Sequence, residues 1–252
     1  MRNWLAIGIG LFTLAAISFS SLSLAQAPAA KKNDVMEIKV NPASKARIDI
    51  PEMNWNFGSI PKGSIVSHSY QIKNIGEDTL QITNVKPTCG CTMAPLSSNF
   101  IAPGEEADLT ANFNSEKFNG RVNKQINIDS TDPIKPYLKV IFTAIINNPL
   151  LTVTPDPAEI DFGTVKQGNP GQMKFTVTNG ENKSVKLAVV DQGKAFKAKA
   201  PIDPIPPHGK ADVTLELAPQ SNQGTLQGSV TLEVVDLPNS RFTIPCKANI
   251  AM

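Results

Sequence analysis

Along residues 66–73 apolar and polar side chains alternate without a break: Val66, His68, Tyr70 and Ile72 against Ser67, Ser69, Gln71 and Lys73. A period of two is that of a half-buried strand, whose side chains point to opposite faces in turn. The same rhythm returns at Ala107, Leu109, Ala111 and Phe113, at Met173, Phe175 and Val177, and at Ala211, Val213, Leu215 and Leu217. Val122, Ile126 and Ile128 share one face, as do Leu138, Val140 and Phe142, and Leu80 and Ile82 mark a shorter strand. Asn74-Ile75-Gly76, Pro103-Gly104 and Asn119-Gly120 carry turn chemistry between them. No stretch holds an apolar period of 3.6.

The pattern occurs twice. Phe57-Gly58 returns as Phe162-Gly163, Asn74 as Asn179 and Gly104 as Gly209, each 105 residues on, and Ile145 and Ile250 end the copies at the same offset. A constant offset predicts two copies of one domain. About seven short strands in roughly 95–100 residues is the pattern of an immunoglobulin-like sandwich. The Cys…Trp…Cys framework of antibody domains is missing, so the likeness is one of architecture. The expected fold is all-β: two tandem immunoglobulin-like sandwiches over 51–147 and 148–252, with the boundary near Asn147-Asn148-Pro149. Residues 28–50 read as a polar tether.

Composition agrees with this class. The 20 prolines and 16 glycines are scattered rather than clustered, which is the punctuation of a β chain. A formal net charge of +2 with no basic run argues against nucleic acid or anionic lipid as partner. Residues 1–27 join Arg2, an apolar run from Leu5 to Ile17 and Ala25-Gln26-Ala27, the make-up of a secretory signal peptide. The run is short for a membrane span, which needs about 20 residues. The expected location is periplasmic or secreted, with disulfides permitted and no membrane span after cleavage.

Candidate chemistry is sparse. The two histidines leave little from which to build a triad: His68 sits in the inward stripe of its strand, and His208 in a turn. No phosphate loop, zinc-protease helix or calcium loop is present. Asp129-Ser130-Thr131-Asp132 reads as a turn before a proline, and Asn182-Lys183-Ser184 as a chance glycosylation triplet. Cys246 shares a face with Phe242, Ile244 and Ala248 and is expected to be a buried, inert thiol.

The distinctive element is Cys89-Gly90-Cys91, for which four readings stand open. The cysteines can pack at a core margin, with Cys91 aligned to Phe196 of the second copy. They can form a labile disulfide, because Gly90 allows the bend that brings the two Cα atoms within reach. They can bind a soft metal such as copper(I), given a further ligand. They can act in thiol exchange, although no helix start is evident to activate a thiolate.

The order Phe57-Gly58, Gly63, Asn74-Ile75-Gly76, Pro87-Thr88-Cys89-Gly90-Cys91-Thr92 and Pro103-Gly104 resembles the bacterial domain-of-unknown-function 1573 family. That family is similar to the immunoglobulin-like group of the major sperm protein, the pilus chaperones and the ASPM, SPD-2 and Hydin repeats. The second copy is a degenerate match, with Lys194-Ala195-Phe196 in place of the cysteines. The resemblance implies a fold and an export route and carries no activity. The expectation is therefore a non-enzyme without cofactor or metal, an envelope interaction or scaffold protein with a protein partner. The alternative is a periplasmic thiol-redox or copper-handling accessory protein using Cys89 and Cys91.

Overall fold

A computed structural model describes residues 40–252; the expected signal peptide and most of the tether lie outside them. The first half forms β1 (Ile48–Asp49), β2 (Asn54–Ile60), β3 (Ile65–Asn74), β4 (Leu80–Pro87), β5 (Thr92–Met93), β6 (Phe100–Ile101), β7 (Glu106–Asn114), β8 (Gly120–Ser130) and β9 (Tyr137–Ile146). The second forms β10 (Val153–Asp156), β11 (Ile160–Lys166), β12 (Gly171–Asn179), β13 (Leu187–Gln192), β14 (Phe196–Lys199), β15 (Lys210–Leu217), β16 (Gly224–Val234) and β17 (Phe242–Ala251). The alternation read from sequence is the burial pattern of β3 and β7: Val66, Tyr70, Ile72, Leu109, Ala111 and Phe113 are all buried.

Each half is an immunoglobulin-like sandwich with its own core. In the first, the sheet β1-β3-β7-β5 covers β2, β9, β8 and β4 around Phe57, Tyr70, Phe113 and Phe142. In the second, β10-β12-β15-β14 covers β13, β16 and β17 around Phe175, Phe196 and Phe242. One sheet runs through both halves in the order β13-β16-β17-β2-β9-β8-β4-β6. The join is made by β17. Its first residue, Phe242, lies beside Ser59 of β2 in parallel, and from Cys246 onward β17 pairs instead with β11 of its own sandwich.

Two expectations are corrected. The tether does not extend to residue 50, because Ala46, Ile48 and Ile50 are buried in the first core and β1 pairs with the end of β3. Ala46, Ile48 and Ile50 alternate with Lys45, Arg47 and Asp49 at the period of a half-buried strand, but the run is short and continues a polar stretch. The repeat offset is also not constant. It is 105 through Asn74 and Asn179, but β7 and β15 pair their neighbours 104 apart, as Ala107 on Ile72 and Ala211 on Val177. The strands that follow keep 104: Gly120 pairs Ile146 and Gly224 pairs Ile250. The first copy has one extra residue in the stretch between Pro87 and Thr92, where the second runs from Gln192 to Phe196, so the counterpart of Ile250 is Ile146, not Ile145.

The buried Asn74 and Asn179 explain a motif that the sequence only flagged. Asn74 Nδ2 donates to Asp78 O and Ile101 O, both at 2.8 Å, and its Oδ1 accepts Gly76 N at 3.0 Å. Asn179 Nδ2 donates to Lys183 O at 2.9 Å and Ile205 O at 3.0 Å, and its Oδ1 accepts Glu181 N at 2.8 Å. One amide thus satisfies loop backbone groups that would otherwise be buried unpaired.

Candidate functional site

β4 runs beside β8 until Thr88, whose N and Oγ1 both donate to Gln125 O at 3.1 Å. The chain then leaves this sheet and enters the opposite one as β5, with Thr92 beside Phe113 of β7. Asn114 N donates to Cys91 O at 2.9 Å and anchors the arrival. Cys89-Gly90-Cys91 is therefore the crossover between the two layers of the first sandwich. A crossing this short needs a sharp bend, and Gly90 is exposed with open space where a Cβ would stand.

Cys89 and Cys91 are joined by a disulfide, with their Cα atoms 5.2 Å apart. Both are half-buried, and Cys91 packs against the first core. In this form neither sulfur is the thiolate that copper(I) binds. Among the described residues no three His, Cys, Asp or Glu side chains gather to hold a metal. The alignment of Cys91 with Phe196 is corrected by the 104-residue register. Thr92 pairs Phe113 and Phe196 pairs Leu217, so Thr92 is the counterpart of the buried ring. Thr92 is 6% exposed, and its hydroxyl lies 3.7 Å from each sulfur.

A second cluster joins the sandwiches, and sequence reasoning missed it. His68 is buried as expected for an inward residue, yet its ring is held from the other half: Nδ1 lies 2.8 Å from Asp191 Oδ2 of β13. On its own side Glu52 stands 3.6 Å from Nε2, and the Trp55 ring stacks on the imidazole at 4.0 Å. Ser59 N donates to Arg241 O at 2.8 Å, and Arg241 holds Glu233 through Nε and Nη2 and the Asn56 carbonyl through Nη1. Thr243 Oγ1 donates to Phe57 O at 2.6 Å, and Ser229 Oγ both accepts from Ser67 N and donates to Ser67 O at 2.9 Å. Asp191, Ser229 and Arg241 are ordinary polar positions in sequence, so nothing in one copy marks them.

The remaining candidates have structural roles. Tyr70, buried beside His68, donates to Ile141 O at 3.0 Å; burial first, then the charges of Glu52 and Asp191, raise its pKa. Asp132 accepts Ile48 N at 2.8 Å, Ile134 N at 2.7 Å and Lys135 N at 3.1 Å. Burial alone would raise its pKa, but those three donors and the Arg47 charge outweigh it and hold the carboxyl below its ordinary value. Its loop is a turn, as read. His208 lies in an exposed turn 3.0 Å from Asn182. Cys246 is buried, and desolvation pushes its thiol pKa far up, as befits an inert thiol.

Residues 48–145 match the family described as protein of unknown function (DUF1573), and residues 150–249 match the HYDIN/CFA65/VesB-like, Ig-like domain. No curated protein matches the chain. Among solved structures, a protein of unknown function from Porphyromonas gingivalis W83 is 15% identical, covering 80% of this chain and 99% of its own, with a TM-score of 0.36. An ASH/PapD-like domain of human CEP192 is 12% identical over 52% of this chain and 97% of its own, with a TM-score of 0.33. The secreted serine protease VesC of Vibrio cholerae is 8% identical over 71% of this chain and 47% of its own, with a TM-score of 0.32.

Proposed function

We propose that this chain, whose first sandwich is a DUF1573 domain and whose second is a HYDIN/CFA65/VesB-like Ig-like domain, is an exported, non-enzymatic interaction or scaffold protein of the cell envelope. The observation that carries this reading is the seam. Buried His68, Ser229 and Thr243 spend their polar atoms on fixing one sandwich against the other, bonding half-buried Asp191, the Ser67 backbone and the Phe57 carbonyl. A single sheet across both halves adds to that rigidity. Such a body suits the presentation of end loops and strand edges to a protein partner at a fixed spacing.

Export rests on residues 1–27, and among the described residues no helix is long and apolar enough to cross a membrane. The test is a cell fractionation with intact-mass measurement, followed by in-cell cross-linking. The expected result is a chain beginning near Pro28 outside the cytoplasm, cross-linked to a recurrent envelope protein. A chain that keeps Met1 and stays in the cytosol, or one that cross-links to no protein, would overturn the proposal.

A further inference from the structure

The crossover of the first sandwich differs from that of the second at three linked positions. Where the second sandwich has Lys194-Ala195 before Phe196, the first has the Cys89–Cys91 disulfide. Where the second buries the Phe196 ring, the first buries Thr92, whose hydroxyl has the two sulfurs as its hydrogen-bond partners. The third position lies on β8. Lys124 pairs Phe142, and Gly228 pairs Cys246, both on the 104-residue register. A Cβ on Gly228 would stand 2.8 Å from the Phe196 ring, so a side chain at this position points at the crossover. Lys124 shares its face with buried Val122 and Ile126 and sets its ammonium 4.1 Å from the centroid of the Phe118 ring. Phe118 in turn packs on Phe113, the neighbour of Thr92.

The second sandwich closes its end with an apolar ring and a glycine that makes room for it. The first closes the same end with a disulfide, a buried hydroxyl aimed at both sulfurs and an inward lysine. The disulfide links residues two apart, so it restrains little chain and is a weak staple. A buried hydroxyl beside sulfur is what a departing thiolate needs, and positive charge at the same end of the sandwich favours it further.

We propose that Cys89–Cys91 is a thiol–disulfide exchange site whose co-reactant is a dithiol on a partner protein. A partner thiolate attacks one sulfur. The Cys89–Cys91 bond breaks, a mixed disulfide forms, and the other sulfur leaves as a thiolate. Thr92 lies 3.7 Å from either sulfur, so its O–H donates to whichever one leaves. Lys124 supplies positive charge on the inward side. The partner's second thiol gives up its proton, which the departed thiolate takes, and attacks the mixed disulfide. The second cysteine sulfur leaves as a thiolate and takes from solvent the proton that the partner's first thiol lost on ionising, so the partner dithiol is oxidised to a disulfide by two electrons and Cys89 and Cys91 become two thiols.

The test uses the chain from residue 28 onward and dithiothreitol as the dithiol, with the rate of thiol release followed by quenched mass spectrometry. Thermal unfolding is measured on the same samples. Wild type is expected to be reduced while folded and to re-form the bond with oxidised dithiol. Thr92→Val is expected to slow reduction about ten-fold, since a charge-assisted hydrogen bond is worth roughly that factor, and Lys124→Gln, which removes charge without a hydrogen bond, about two- to three-fold. Thr92→Ser and Lys124→Arg, which keep the hydroxyl and the charge, should restore the rate. Reduction that occurs only at the rate of global unfolding would overturn the proposal. So would folded Thr92→Val and Lys124→Gln proteins that react as fast as wild type, or slowed rates that the conservative variants do not restore.

Discussion

Gly58 and Gly163 occupy the same place in the two sandwiches, with φ of 68° and 64°, each at an irregularity in a strand that pairs in parallel with the last strand of a copy. Their surroundings differ. A side chain on Gly163 would meet open space, whereas one on Gly58 would collide with the Arg241 carbonyl of the other sandwich. Asn74 and Asn179 are likewise equivalent and do the same work. What the copies share is what the backbone requires: a left-handed residue at a bulge, and an amide that satisfies a buried loop. What they do not share is what each one faces. The first sandwich receives β17 on its β2 edge, and the second receives nothing in the matching place among the described residues.

This contrast is most open to test at the two glycines. Alanine in the left-handed region costs about 1–2 kcal/mol, and that is the expected loss for Gly163→Ala. Gly58→Ala adds a collision with backbone that cannot rotate away, so β17 must leave β2. The expected loss is about 4 kcal/mol or more, together with new proteolytic cleavage near residues 147–150. Denaturant unfolding and limited proteinase K digestion of the two variants read both effects. Equal losses and equal digestion would mean that the seam adds nothing to the first sandwich.

A second pair stands two residues past the ends of β8 and β16. Asp132 is buried and accepts three backbone donors, whereas Asp236 is exposed. Asp132→Asn replaces an accepting oxygen with an amino group facing a donor, for a loss of about 2 kcal/mol; Asp236→Asn should change stability by less than about 0.5 kcal/mol. The pH dependence separates them further. The folded-state pKa of Asp132 is lowered, so its contribution is complete above the ordinary carboxylate value of about 3.9 and fades as pH falls through the lower folded value. Unfolding midpoints taken from pH 6 downward should fall less steeply in Asp132→Asn than in wild type. Parallel curves would assign the acid limb to other carboxylates.

The strands were legible because alternation is a local signal, and the repeat was legible because glycines and asparagines at special backbone positions recur. Loss of register is not local. The extra residue between Pro87 and Thr92 becomes visible only when Thr92 is seen beside Phe113 and Phe196 beside Leu217. That single slip displaced the counterpart of Phe196 from Thr92 to Cys91. Lys124 was within reach, since it has the parity of Val122 and Ile126, but a lysine between apolar residues reads as surface until its neighbours are placed. The seam was not legible at all. His68 meets Asp191 across 123 residues of chain, a contact that neither copy's pattern contains. The disulfide stood open in the sequence because spacing permits it without requiring it.

The smallest effect sharpens the comparison most, because the second sandwich closes without any thiol at its crossover. Replacing Cys89 and Cys91 with serine should leave the fold intact. The chain-entropy estimate for so short a loop gives a stabilisation of about 1.6 kcal/mol, and the double variant should lose about 1–2 kcal/mol. Reductant supplies an internal check. Wild type with reductant should unfold near the midpoint of the untreated variant, and reductant should leave the variant unmoved. A variant that fails to fold would make the bond an essential staple, which the chain entropy of a loop this short does not supply. A variant as stable as oxidised wild type would instead leave the bond no structural part, and its retention in the first sandwich would then rest wholly on its chemistry.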